Sequence, residues 1–263
     1  MFYLSHAKWR LSFIGLSMLC LVSCKNLFTN DDNPYKDLSA NELYSEAQLA
    51  LKKHEYTSAI KRLEAMDSMY PFHDKNESAQ LQLIYAYYKK EDYASCSATA
   101  DRFIHLFPRS TKVDYAYFMK GMANFRQLRG ALAEIAPMDL AWRDPGSQSQ
   151  AYSDFATLVD RYPQSKYTPN AKQRMIYLRN LFAAREMHTA NYYYYRQMYV
   201  AAAERANYVV RNYAQSSSAK PALGLMYFAY SKLGMQEAAD DALAVYKATY
   251  NAIPKKPKNI LHW

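Results

Sequence analysis

The stretch Tyr56–Pro71 (YTSAIKRLEAMDSMYP) returns 37 residues later as Tyr93–Pro108 (YASCSATADRFIHLFP), start on start and stop on stop. Two weaker copies, Tyr199–Ala214 and Gln236–Asn251, are again 37 residues apart, and a fifth ends at Tyr162-Pro163. Self-similarity at this period means stacked units, each too small to bury its apolar face alone. Every copy carries a small residue early (Ala59, Cys96, Ala151, Ala202, Ala239). An apolar or small residue follows four later (Leu63, Ala100, Phe155, Ala206, Leu243), and an apolar one three beyond that (Met66, Phe103, Leu158, Val209, Tyr246). Positions separated by 4 and 7 share one helix face. The closing aromatic-Pro pair stops the helix, because the residue before proline is pushed out of the α region.

The pattern small–x3–apolar–x2–apolar–x4–Pro resembles the tetratricopeptide repeat and covers most of residues 39–252. It implies an all-α fold, a right-handed α-solenoid of about five helix pairs. Scarce glycine agrees with helix over sheet: 6 residues, against 26 tyrosines. Units one to three occupy 38–166. Ser39 and Glu42 form a capping-box pair at the first helix, whose inward stripe is Leu43, Ala47 and Ala50. Gly130 to Gln150, with Pro137, Pro145 and Gly146, interrupts unit three as a long loop, and Ala151–Tyr162 is its second helix. Thr168 then caps a long helix near 168–198, with Pro169 in its first turn. That helix would bridge to units four and five, within 167–252. Tyr192–Tyr195, about 100° apart around it, cannot all be buried. The tail, 253–263, has two prolines and three lysines and reads as disordered and basic.

The N-terminus reads as a targeting signal. Lys8 and Arg10 precede an apolar run, Leu11–Val22, that is too short to cross a bilayer, which needs about 20 residues. It ends in Leu21-Val22-Ser23-Cys24, which resembles a bacterial lipobox. On that reading 1–23 is a cleaved signal, and Cys24 carries diacylglycerol and an N-acyl chain. Several acyl chains hold firmly, at about 0.8 kcal/mol per CH₂. Lys25 rather than Asp follows, which favours the outer over the inner membrane. Residues 24–37, polar and broken by Pro34, read as a lipidated flexible tether. Cys96 is then left as the one free thiol, at the small position of its repeat, where packing accounts for it.

First helices line the concave groove of such a solenoid. By repeat register Tyr44, Gln48 and Lys52 of unit one should face it, joined by Tyr85, Tyr88 and Lys89 of unit two. Tyrosine suits an extended-peptide site: its ring supplies apolar area, its hydroxyl fixes orientation, and it loses little entropy. Packing between neighbouring helices is the competing role for each ring. No catalytic constellation stands out. The histidines are scattered, without HExxH or paired-ligand spacing, and no phosphate-binding glycine loop or GxSxG is present. Neither an enzyme nor a metal site is expected. A net charge of +9 invites nucleic acid, but no module for it is visible and an exported chain would not meet it.

Local wording narrows the field. Tyr70-Pro71-Phe72, Leu83-Ile84-Tyr85-Ala86-Tyr87-Tyr88-Lys89, Asp101-Arg102-Phe103-Ile104, Arg143-Asp144-Pro145 and Tyr152-Ser153-Asp154-Phe155 resemble the ComL/YfiO family of outer-membrane lipoproteins. That resemblance implies a non-enzymatic component of the β-barrel assembly (BAM) machinery, lipid-anchored on the periplasmic face of the outer membrane. It implies a C-terminal half bound to the POTRA domains of BamA, contacts with other BAM lipoproteins, and an N-terminal groove receiving C-terminal signals of unfolded outer-membrane proteins. Arg205, in AAAERANYVV, matches the family's BamA-contacting arginine. Tyr213-Ala214 departs from the repeat's Tyr-Pro. A periplasmic scaffold for peptidoglycan or a cell-wall enzyme is the alternative.

Overall fold

The computed structural model describes residues 33–127 and 146–257. Among them are α1 (Ala40–Lys52), α2 (Tyr56–Met69), α3 (Asn76–Lys89), α4 (Tyr93–Leu106), α5 (Val113–Arg126), α6 (Gly146–Arg161), α7 (Thr168–Tyr195), α8 (Tyr199–Asn212), α9 (Ala219–Leu233) and α10 (Gln236–Tyr250). Each helix packs chiefly on the helices before and after it; α3 also touches α5, and α7 touches α9. The chain is a tetratricopeptide-type solenoid of helix pairs.

The repeat residues are its core. Ala59, Cys96, Ala151, Ala202 and Ala239 are completely buried, as are Met66, Phe103, Leu158 and Val209. Leu243 is only half-buried; Ala242 beside it takes the inner place on α10. Burial pushes the Cys96 thiol up to about 12, so it packs as a small apolar group.

Two turns repeat with the sequence. Within four of the pairs the chain enters the left-handed region at one residue: His54 (φ 61°), Glu91 (65°), Gln197 (62°) and Gly234 (73°). The amide after it returns to a carbonyl five residues back, as in Glu55 N to Ala50 O and Asp92 N to Tyr87 O, both bonds of a Schellman cap. Among the described turns, glycine stands there in the last unit alone. Between pairs, Tyr70, Phe107, Tyr162 and Tyr213 each accept at their carbonyl from the residue three on, namely His73, Ser110, Ser165 and Ser216. Tyr213 makes this turn without a proline after it.

The capping box is present: Glu42 N donates to Ser39 Oγ at 3.3 Å, and Ser39 N to Glu42 Oε2 at 2.8 Å. Three expectations need correction. Thr168 is not the cap of α7 but its first residue; its hydroxyl donates instead to the Tyr162 carbonyl at 2.7 Å, and Tyr167 holds the cap position. α6 begins at Gly146, directly after Asp144-Pro145, so 146–150 are helix rather than loop; 130–145 lie outside the described residues. The tail is not free over 253–257: Pro254 is buried against Gly224, and the Tyr195 hydroxyl donates to the Pro257 carbonyl. Both contacts join segments far apart in sequence, so no local pattern announces them.

α7, 28 residues and about 42 Å long, is the bridge expected of it. Its first half packs through Ala171 and Leu178 on Phe155 and Leu158 of α6. Its second half packs through Ala183, Met187, Ala190 and Tyr194 on α8 and α9. Of the four consecutive tyrosines only Tyr194 is buried, while Tyr192 is exposed.

A buried polar network ties α4, α5 and α6. Lys120 Nζ lies 2.6 Å from Asp101 Oδ1 and 3.5 Å from Asp154 Oδ1. Asn124 and Gln150 donate to the two Asp154 oxygens at 2.7 and 3.0 Å. Burial works against the Lys120 charge, but the two aspartates outweigh it and hold its pKa above the ordinary lysine value.

Candidate partner-binding surfaces

First helices of successive pairs run parallel, so equivalent turns of α1 and α3 form adjacent rows. Gln82 of α3 donates to the Tyr44 hydroxyl at 2.7 Å, which registers the rows. Lys75 lies over the Tyr44 ring at 5.4 Å and donates to Asn41. Gln48 and Lys52, on the next two turns of α1, are exposed. Beside them on α3, Tyr85 is exposed, its ring edge-on to Tyr56 at 6.4 Å, with the Lys89 ammonium 5.8 Å above it. Of the six groove residues named from the sequence, Tyr44 is tied to α3 through Gln82, Tyr85 and Lys89 pair on α3, and Gln48 and Lys52 are exposed on α1.

Tyr88 lies at a different place. Its ring meets Tyr93 at 5.7 Å and packs against the buried cores of both units two and three. Its hydroxyl hydrogen-bonds Arg126 and holds that guanidinium's pKa up. It serves the seam of units two and three.

His54 and Tyr56, not singled out from the sequence, extend the exposed face. His54 Nδ1 lies 3.0 Å from the Tyr56 hydroxyl, and both line an open cleft of about 570 Å³ with Tyr35, Lys61 and Lys90. The recurrent left-handed turn puts His54 there. Its signal in the sequence is only the 37-residue spacing to Glu91.

Arg205 sits on the outer side of α8, half-exposed, with its guanidinium donating to Glu186 Oε2 of α7 at 3.1 Å. Glu186 also lines a cleft of about 460 Å³ with Tyr152, Arg179, Phe182 and Tyr213, where α6, α7 and α8 meet. Burial pushes the Tyr213 phenol up to about 12, with Tyr208 adding to it. Arg205 is thus pre-oriented by its own chain at the edge of a concavity joining the two halves. Cys24 lies outside the described residues. No group of three metal-ligating side chains occurs among the described residues, and none of their helices is long and apolar enough to cross a membrane.

The model of the YfiO family, described as outer membrane lipoprotein, matches residues 36–245. The chain belongs to the YfiO family. Relatives agree over most of their length. The outer membrane protein assembly factor BamD of Vibrio cholerae is 38% identical over 204 residues, 78% of this chain and 85% of that one. BamD of Neisseria meningitidis serogroup A is 34% identical over 241 residues, 91% and 89% of the two chains. BamD of Pasteurella multocida is 31% identical over 256 residues, 95% and 96%. A tetratricopeptide repeat protein from Parabacteroides merdae overlays with a TM-score of 0.37 at 11% identity, over 83% of this chain and 80% of that one. The YfiO match runs through both the α1–α3 face and the helix bearing Arg205.

Proposed function

We propose that this YfiO-family chain is a non-enzymatic lipoprotein of the β-barrel assembly machinery. It scaffolds BamA and receives unfolded outer-membrane proteins for insertion. The observation that carries this is family membership across 36–245, with relatives named outer membrane protein assembly factor along nearly their whole length. Lipid on Cys24 anchors it to the outer membrane on the periplasmic side, and residues 24–37 give the helical body reach. The α1–α3 face, with Tyr44, Gln48, Lys52, Tyr85 and Lys89, supports capture of an extended aromatic segment: ring faces, hydroxyls and ammonium groups stand in two parallel rows. Arg205, half-exposed and aimed by Glu186, suits a carboxylate of a POTRA domain of BamA.

The test is a detergent pull-down of the full lipoprotein with identification of what comes with it. BamA and other BAM lipoproteins in near-equal amount are expected. Cell-wall enzymes or peptidoglycan in their place would remove the assembly role.

A further inference from the structure

We propose that the face shared by α7, α9 and α10 is a binding site for an extended, proline-bearing segment, and that the chain's own tail fills it in cis. Past α10 the backbone turns at Asn251 (φ 45°) and runs without regular structure to Pro257. Two fastenings hold it. Pro254 is buried on Gly224 of α9, where even one added methyl would stand 3.2 Å from the proline Cβ and 3.5 Å from the Tyr246 ring. The Tyr195 hydroxyl, at the end of α7, donates to the Pro257 carbonyl. The strap so spans α7, α9 and α10 across their shared face. Glycine at 224 lets the proline ring sit close on the helix backbone.

The tail underfills this site. Ile253 is 75% exposed, and a cleft of about 550 Å³ stays open beside it, floored by Met187, Leu225 and Tyr246. That volume lies within the range of ligand pockets. Lys220, Lys255 and Lys256 rim it, and no carboxylate lines it. Gathering three ammonium groups weakens the strap, and what holds it is apolar contact and one hydrogen bond. A segment offering proline to Gly224 and an apolar residue to the open floor has the chemistry to displace it. The short connection from α10 gives the tail a high effective concentration, so a competitor must beat millimolar self-binding.

The test uses the full chain and a fluorescein-labelled peptide of residues 252–263 (AIPKKPKNILHW), read by anisotropy. Pro254→Asp cannot bury its charge, so it releases the cis tail while leaving the helices intact. This variant should bind the peptide in trans at least tenfold more tightly than the wild-type chain, whose site is occupied. Adding Gly224→Leu, with the helical circular dichroism unchanged, should abolish that binding. Should this double variant fail to fold, Tyr195→Phe in the Pro254→Asp chain should weaken binding about threefold. Equal binding by wild type and Pro254→Asp, or none by Pro254→Asp at millimolar peptide, overturns the site.

Discussion

A Cβ placed on Gly121 would stand 2.6 Å from Cε1 of Phe155, a completely buried ring. Here α5 and α6 approach as closely as two helices can, and the glycine exists to admit the ring. Gly121→Ala gains about 1 kcal/mol of helix propensity but overpacks a core contact, at about 1–3 kcal/mol. The net should be destabilising, with a denaturation midpoint lowered by a few degrees. Phe155→Leu in the Gly121→Ala background should recover part of it.

The Lys120–Asp154 pair is worth testing as a unit. Asp154→Ala leaves the buried Asn124 amide without its acceptor and takes one of two aspartates from Lys120, and should cost about 1–3 kcal/mol in urea unfolding. Combining it with Lys120→Met should cost clearly less than the sum of the single changes. The contribution of Lys120 has a definite sign with pH. Its folded pKa is raised, so the contribution is complete below the ordinary lysine value and is lost as pH climbs through the raised one.

Ala214→Pro should stabilise the chain. Tyr213 has φ −129° and ψ 38°, close to Tyr70 (−131°, 54°) and Phe107 (−123°, 54°), which both precede prolines. Ala214 is exposed and its amide joins none of the turn's hydrogen bonds. Restricting the unfolded chain at such a site contributes about 0.4–1 kcal/mol, or a few degrees in Tm by calorimetry. A lowered Tm would mean that the fourth turn differs from the other three.

Arg205→Glu should abolish recovery of BamA with the lipoprotein while leaving the helical circular dichroism intact. That change also sets a carboxylate against Glu186, so the decisive variant is the swap Arg205→Glu with Glu186→Arg. The swap rebuilds the ion pair within the chain and should still fail to recover BamA. If BamA returns, Arg205 acts by holding α8 on α7 and not by touching the partner.

The repeat was fully legible because it is a contact rule written at fixed spacing. Ala59 needs no knowledge of its neighbour to declare a close approach, and the same residue class recurs in all five units. The capping box Ser39–Glu42 was legible for the same reason, being local. Tyr88 was not. It shares α3 with Tyr85, and only the packing of α5 and α7 decides that one ring turns to the seam and the other to solvent. Thr168 looks like a cap until Tyr162, six residues earlier, offers its carbonyl. The seat of Pro254 on Gly224 joins residues 30 apart, neither of which is unusual where it stands. The left-handed turn is an intermediate case. Its position repeats, but His54, Glu91 and Gln197 have no residue type in common and only Gly234 advertises it.

Because helices lean chiefly on their immediate chain neighbours, nothing in the body waits for a distant segment before it can close. A chain paid out slowly from its N-terminus would complete each pair as it emerged, with its template already in place. The tail is the exception. Its fastening to Tyr195 and Gly224 forms only after the last pair has been delivered, which makes seating of the strap the natural end-point by which a finished molecule differs from one still being made.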